Sequence, residues 1–88
     1  MPHEPLTVVD LLRHMARLRP EPLNAIVTIQ LYEWRLGALR KCLVVLEKAG
    51  IVRYLGRDRW KLSSSYVDAD AAVHAARSAG VSVDQRHG

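Results

Sequence analysis

Basic side chains are concentrated in one part of this 88-residue chain. Residues 35–61 contain eight Lys and Arg residues but only two acidic ones, which gives the segment a net charge of +6. The other residues include five basic and seven acidic side chains, for a net charge of −2. The eight cations are Arg35, Arg40, Lys41, Lys48, Arg53, Arg57, Arg59 and Lys61. Because clustered cations attract polyanions, the segment predicts a surface that faces nucleic acid or another polyanion.

Residue types that perform catalysis or bind metals do not form a pattern typical of an enzyme. The sequence has no Gly-rich phosphate loop, no His-Glu-x-x-His motif and no nucleophile elbow. Asp68 and Asp70 stand two apart at a predicted helix start, where carboxylates favour the helix dipole. His14 and His74 are isolated, and a single cysteine, Cys42, excludes an intramolecular disulfide and a cysteine-based zinc site. We therefore expect no enzymatic activity, no cofactor and no metal.

Length and composition indicate one ordinary globular domain. Apolar residues make up 49% of the chain and charged residues 25%. No apolar run approaches the roughly 20 residues of a membrane span. Residues 1–5 are neither basic nor followed by the apolar core of a signal peptide, so we expect a cytoplasmic protein without a membrane partner.

The first predicted helix covers about residues 7–18, after an extended N-terminal arm at 1–6. Thr7 is the predicted N-cap, and Asp10 takes the third helical position of a capping box. Leu6 and Leu11 have the spacing of a hydrophobic staple. The apolar residues on one face of this helix are Val8, Leu11, Leu12, Met15 and Leu18.

Residues 23–36 permit two interpretations. The β-branched residues favour a short strand at 25–27, followed by a helix from Ile29 to Trp34 with Thr28 as its cap. The alternative is a single helix from Pro22 to Trp34, with the proline at the first helical position. We prefer the first interpretation.

The clearest helix covers residues 36–49, where Leu36, Leu39, Leu43 and Leu46 recur at helical spacing before Gly50. Its opposite face is basic and holds Gly37, Arg40, Lys41, Val44 and Lys48. Cys42 flanks the apolar side and is expected to pack as a small apolar group.

The rest of the chain predicts a β-hairpin and one more helix. Strands at 51–55 and 59–62 flank Gly56-Arg57-Asp58. The sequence is compatible with a loop of two residues or of three. Residues 63–80 form a loop and a last helix, capped by Asp68 or Ser65 and ending near Ala79. Its small-residue face makes it, with the first helix, a candidate dimerisation element. Residues 81–88 are expected to be a flexible tail.

One segment of the chain resembles the winged helix-turn-helix domains of small prokaryotic transcriptional regulators. It consists of Leu39, Leu43 and the run Leu46-Glu47-Lys48-Ala49-Gly50-Ile51-Val52. In that family, a similar run ends the recognition helix and leads into the wing. The resemblance covers residues 7–62. It implies a mostly α fold with a small β-hairpin (α+β), consisting of a three-helix core, a wing and here an extra C-terminal helix. It also implies a homodimer that binds double-stranded DNA and regulates transcription.

The resemblance assigns a role to each cation by its position. The helix at 36–49 would lie in the major groove, where Arg40 and Lys41 face the bases, Arg35 lies at the edge and Val44 meets a thymine methyl. Gly37 and Lys48 share that face. The hairpin at 51–62 would project beside the helix as the wing, with Arg57 at its tip and Arg59 close by, both contacting phosphates.

Other interpretations remain for several residues and for the whole chain. Arg53 and Lys61 are expected to face solvent, while Trp34, Tyr54 and Trp60 pack internally. Winged helices also serve as protein–protein interaction modules in replication, partition or transcription assemblies, and the basic face would then meet an acidic protein. Binding to RNA or single-stranded DNA is disfavoured because few aromatic residues are expected at the surface.

Overall fold

A computed structural model of the chain describes residues 5–87. Within them, four helices and one three-stranded antiparallel sheet form a mixed α+β domain, which is compatible with a winged helix. The elements in chain order are α1 (Val8–Leu18), β1 (Leu23–Asn24), α2 (Ala25–Tyr32), α3 (Leu36–Lys48), β2 (Val52–Gly56), β3 (Arg59–Leu62) and α4 (Ala69–Ser78). The strand order in the sheet is β1-β3-β2. No helix among these residues is long and apolar enough to cross a bilayer.

Helix α1 begins as predicted. The Thr7 hydroxyl accepts a hydrogen bond from the backbone N–H of Asp10 at 3.1 Å, which satisfies one of the N–H groups that a helix start leaves unpaired. Leu6 and Leu11 are both fully buried. The predicted apolar face of α1 enters the core, with Leu18 half-buried at its end.

The predicted strand at 25–27 and the predicted cap at Thr28 were wrong. The strand is Leu23–Asn24, and the Asn24 side chain caps α2 by accepting hydrogen bonds from the N–H groups of Ile26 and Val27 at 3.0 and 3.2 Å. Thr28 lies inside α2, and its hydroxyl donates to the Asn24 carbonyl at 2.7 Å. Asparagine is a strong N-cap, and the extended backbone of Asn24 lets one residue end the strand and start the helix.

Helix α3 matches its predicted position closely. Leu39, Cys42, Leu43 and Leu46 are buried, and the helix ends one residue earlier than expected. Gly50 has a φ of 77°, and the N–H of Ile51 donates to the Leu46 carbonyl at 2.9 Å. This left-handed termination turns the chain directly into β2.

The β2–β3 hairpin has the shorter of the two loops considered. Its turn consists of Arg57 and Asp58, whose φ values of 54° and 57° are typical of a type I′ turn. Gly56 has a φ of 86° at the irregularity in the pairing between Tyr54 and Gly56, just before the turn. Trp34 and Trp60 are buried as predicted, whereas Tyr54 retains 49% of its accessible surface and packs on the hairpin, with its ring centroid 4.5 Å from that of Trp60.

The small-residue face of α4 packs within the chain. Asp68 caps the helix by accepting from the N–H of Ala71 at 2.8 Å, which confirms one of the two predicted caps. Ala72 and Ala76 are fully buried, and α4 packs on α1. The two faces that had been expected to contact a second copy therefore contact each other.

Residues 81–87, for which the sequence predicts a flexible tail, contact the rest of the domain through a few backbone hydrogen bonds and one buried side chain. The N–H and carbonyl groups of Leu6 pair with those of His87 at 2.8 and 2.7 Å. Val83 is buried, and its carbonyl accepts from the N–H of Val9 at 3.2 Å. This pairing between residues far apart in the sequence also buries the end of the N-terminal arm. Residues 1–4 of that arm and residue 88 of the tail lie outside the described residues.

Candidate nucleic-acid interface

The outward face of α3 carries the predicted residues. Gly37, Arg40, Lys41, Val44 and Lys48 are all exposed, and Val44 retains 39% of its accessible surface. They are exposed because the leucines and Cys42 turn the opposite side of α3 into the core. The surface that remains is cationic along most of its length.

Arg35 immediately precedes α3 and is exposed. Its backbone is extended, and its side chain does not cap the helix. The N–H groups in the first turn of a helix favour an anion, and a guanidinium beside them adds to that preference. This end of α3 is therefore electrostatically suited to a phosphate or a carboxylate.

The hairpin contributes a second group of cations. Arg57 and Arg59 are exposed at and beside its turn. Arg53 and Lys61 lie directly opposite each other across β2 and β3, and both are exposed. Like charges at opposed positions of a sheet repel each other, so an anion bound over this pair would relieve a repulsion that exists in the free protein.

A bidentate ion pair joins the hairpin turn to α3. The Arg40 guanidinium donates from Nε to Asp58 Oδ1 at 3.0 Å and from Nη2 to Asp58 Oδ2 at 2.7 Å. The backbone carbonyl of Asp58 accepts from the N–H of Ala25 at 2.9 Å. One turn residue therefore connects the hairpin to the start of α2 and to the outer face of α3.

The hairpin was predicted to project beside α3, and this contact ties its turn to the outer face of that helix. The hairpin strands are five and four residues long and are joined by a two-residue turn, and Asp58 holds that turn against α3. Arg40, which was predicted to face the bases of DNA, is exposed on the predicted face of α3 and also makes this contact. Two of the donor atoms of its guanidinium are already directed at Asp58, so Arg40 positions the hairpin.

Electrostatics at this contact favour the ion pair. Hydrogen bonding to Arg40 lowers the pKa of the Asp58 carboxyl, and the same hydrogen bonds raise the pKa of the Arg40 guanidinium. The pair neutralises one cation and one of the two acids of residues 35–61. The sequence did not predict this role for Asp58, although an aspartate in a cationic segment is a signal that it has a basic partner.

An exposed apolar face on α2 was also missed. Ile26, Val27 and Leu31 retain 41%, 52% and 66% of their accessible surface. Helix α2 contains no charged residue. This face differs sharply in chemistry from the cationic face of α3, the helix that α2 packs against.

Cys42 and His14 are internal titratable groups, whereas His74 and Asp70 are exposed on α4. Cys42 is buried, and desolvation raises the pKa of its thiol to about 11, so it is a neutral packing group at physiological pH. His14 is buried, and its Nδ1 lies 2.9 Å from the Tyr32 hydroxyl. Among residues 5–87, no three His, Cys, Asp or Glu side chains are grouped so that they could hold a metal ion.

Comparisons of the chain with protein-family models, with curated proteins and with solved structures gave no match.

Proposed function

We propose that the protein binds double-stranded DNA as a winged-helix transcriptional regulator. The element order and the β1-β3-β2 sheet support this proposal because they are compatible with that fold. The observation that carries it is the contact between Arg40 and Asp58, which joins the exposed cationic face of α3 to the exposed cations of the hairpin turn. Two elements that are separate in the sequence thereby form one anion-facing surface.

Within this surface, α3 occupies the major groove and the hairpin lies against the sugar-phosphate backbone. Lys41 and Lys48 are two turns apart on the outer face of α3, and Val44 between them offers an apolar contact to a thymine methyl. Arg35, Arg57 and Arg59 contact phosphates, which contribute most of the salt-sensitive affinity. Arg40 keeps the hairpin in position, and no catalytic role is part of this proposal.

The test measures how binding to a labelled random-sequence duplex depends on salt. The double variant Arg35→Gln with Arg57→Gln removes two of the proposed phosphate contacts, one beside the start of α3 and one in the hairpin turn, and leaves the Arg40–Asp58 contact in place. It should lower the slope of log affinity against log salt by about two, because each lost phosphate contact contributes about one. Selection of bound duplexes from a random pool then measures sequence preference.

The matched control is Arg13→Gln with Arg86→Gln, which removes the same charge from exposed positions outside residues 35–61. This variant should retain the wild-type slope. Equal slopes for the two double variants would show that the basic face is not the binding surface. A wild-type protein that binds no duplex at low salt would overturn the function itself.

We further propose that the protein forms a homodimer through the apolar face of α2. The faces of α1 and α4 cover each other, whereas Ile26, Val27 and Leu31 remain exposed on an uncharged helix. Two copies of an uncharged helix can approach without charge repulsion although the chain carries a net charge of +4. Sedimentation at increasing concentration should show a dimer, and Leu31→Gln should shift the protein toward the monomer. A monomer at all concentrations would contradict the homodimer.

The same α2 face favours the alternative function, a winged-helix module that docks on another protein. In that case the apolar face contacts the partner, and the cations of α3 meet its acidic residues. A protein that stays monomeric and does not bind duplex DNA at low salt would support this alternative over DNA binding.

A further inference from the structure

An open cleft of about 580 Å³ lies between α3 and the segment that follows α4. This volume falls within the roughly 300–1,000 Å³ of small-molecule sites. One wall is the second half of α3, and the other is formed by residues 79–82 together with Gln85 and His87. The cleft exists because Val83 and the pairing of Leu6 with His87 hold this segment beside the helices.

Much of the lining of the cleft is apolar. Val8 and Cys42 line it and are almost fully buried. Val45 and Val81 line the sides, and Val45 retains 42% of its accessible surface. An exposed valine beside an open cleft is a surface that an apolar ligand would cover.

The charged groups at the cleft all have one sign. Lys41 and Lys48 line it and are both exposed. They are seven residues apart on α3, so they lie on one side of the cleft about 10 Å apart along the helix axis, with Val45 between them. None of the described residues that line the cleft is acidic. Its chemistry is therefore complementary to an anion with an apolar body.

We propose that this cleft binds a small organic anion, namely a carboxylate with an aliphatic or aromatic body of about the size of octanoate. The body lies against Val8, Val45 and Val81. The long side chains of Lys41 and Lys48 bring either ammonium group to the carboxylate while their stems cover the ligand. Binding of this ligand does not depend on the proposed DNA binding.

Octanoate is the probe, and amide chemical shifts of the isotope-labelled protein are the measurement. Octanoate should shift the signals of residues that line the cleft, including Val45 and Val81. Two further probes separate the contributions: 1-octanol has the body without the charge, and acetate has the charge without the body. Both should bind at least about tenfold more weakly than octanoate, which corresponds to about 1.4 kcal/mol.

The variant that tests the cations is Lys41→Gln with Lys48→Gln, and its matched control is Arg13→Gln with Arg77→Gln, which removes the same charge at exposed positions that do not line the cleft. The first variant should lose at least about tenfold in octanoate affinity, and the second should keep the wild-type value. Both changes affect exposed side chains, and well-dispersed amide spectra will show that each variant is folded. Equal octanoate affinities in the two variants, equal affinities for octanol and octanoate, or shifts away from the cleft would each overturn the proposal.

A consequence of the site rests on the proposed function. Lys41 and Lys48 belong both to the cleft and to the DNA-facing side of α3, so a bound carboxylate would neutralise cations that phosphates also need. Octanoate should then weaken duplex binding, and octanol should not. If no duplex binds, the proposed function fails while the chemical-shift experiment still decides the cleft.

Discussion

Arg40 in the middle of α3 and Asp58 in the hairpin turn form a bidentate ion pair at 3.0 and 2.7 Å, across 18 residues of sequence. A guanidinium and a carboxylate match in a planar fork, so this contact fixes the orientation of the turn as well as its distance from α3. The contact is partly exposed, with 47% and 30% of the two side-chain surfaces accessible. A phosphate that approaches Arg40 would therefore compete with Asp58 for the same guanidinium.

Replacing Asp58 with asparagine should have opposite effects on stability and on duplex binding. Asp58→Asn removes the negative charge and one of the two acceptor oxygens, so the bidentate ion pair is lost and the midpoint of denaturant unfolding at pH 7 should fall. The released Arg40 should raise the salt slope for duplex binding by about one. Denaturant titration and fluorescence anisotropy measure the two effects.

The control for this change is Glu47→Gln, which removes the other acid of residues 35–61 at an exposed position of α3. It should leave the unfolding midpoint close to that of the wild type. The pKa of Asp58 is lowered in the folded state, so its stabilisation is present at neutral pH and is lost as the pH falls below 3.8. If the wild type and Asp58→Asn differ equally at neutral and strongly acidic pH, the ion pair is not the cause.

Protonation of His14 should destabilise the fold. Burial and the nearby Arg17 lower the pKa of His14 below 6.5. Arg17 donates to the Tyr32 hydroxyl at 3.1 Å, and that hydroxyl can donate to Nδ1 of a neutral His14. The free energy of unfolding should be highest above pH 6.5 and should decline as the pH falls toward the lowered pKa.

His14→Gln should flatten this decline, because glutamine does not titrate. The matched variant His74→Gln changes an exposed histidine on α4 and should retain the wild-type slope. Denaturant unfolding between pH 5 and 7.5, a range chosen to bracket the ordinary histidine pKa of about 6.5, measures both. A wild-type slope in His14→Gln would assign the pH dependence to another group.

Enlarging the small-residue face of α4 should disrupt its packing on α1. Ala76 is fully buried there, and Ala76→Leu adds three carbon atoms to a filled space. Overpacking of this kind should lower the free energy of unfolding by about 1–3 kcal/mol. His74→Leu places the same side chain at an exposed position of α4. It should change the free energy of unfolding by less than about 0.5 kcal/mol. If Ala76→Leu were equally harmless, α1 and α4 would not be in close contact.

Removing two methyl groups from Val83 should show whether the segment after α4 belongs to the core. Val83 is 3% exposed, so Val83→Ala should lower the free energy of unfolding by about 1.5–2.5 kcal/mol. Val67 is 85% exposed, so Val67→Ala should change the free energy of unfolding by less than about 0.5 kcal/mol. Calorimetry or denaturant titration measures both variants, and equal values would mean that residues 81–87 are not packed in solution.

Local signals in the sequence predicted most of the elements. Thr7 and Asp68 act as the predicted caps, Gly50 follows the end of α3 as predicted, and the leucine spacing of α3 predicted both its position and its exposed face. Each of these features depends on residues within a few positions of one another. The boundary at Asn24 was missed because a two-residue strand is too short to show any periodicity.

Features that depend on distant partners were not predictable. Residues 81–88 form a short polar segment, which is typical of a flexible tail. Nothing in that segment indicates that His87 pairs with Leu6. The distribution of charge along the sequence predicted the cations of the candidate site. Asp58 entered that net charge only as one negative side chain. Its partner became known only when folding brought the turn beside α3.

The pairing of Leu6 with His87 places the two ends of the described chain side by side on one edge of the domain. A short peptide linker would therefore suffice to join them, and new ends could be opened at the exposed turn of Ser64 and Ser65. Such a circular permutant would keep the helices and the sheet in place. It would also connect the two sides of the Leu6–His87 bridge covalently, so this edge of the described residues could no longer fray apart.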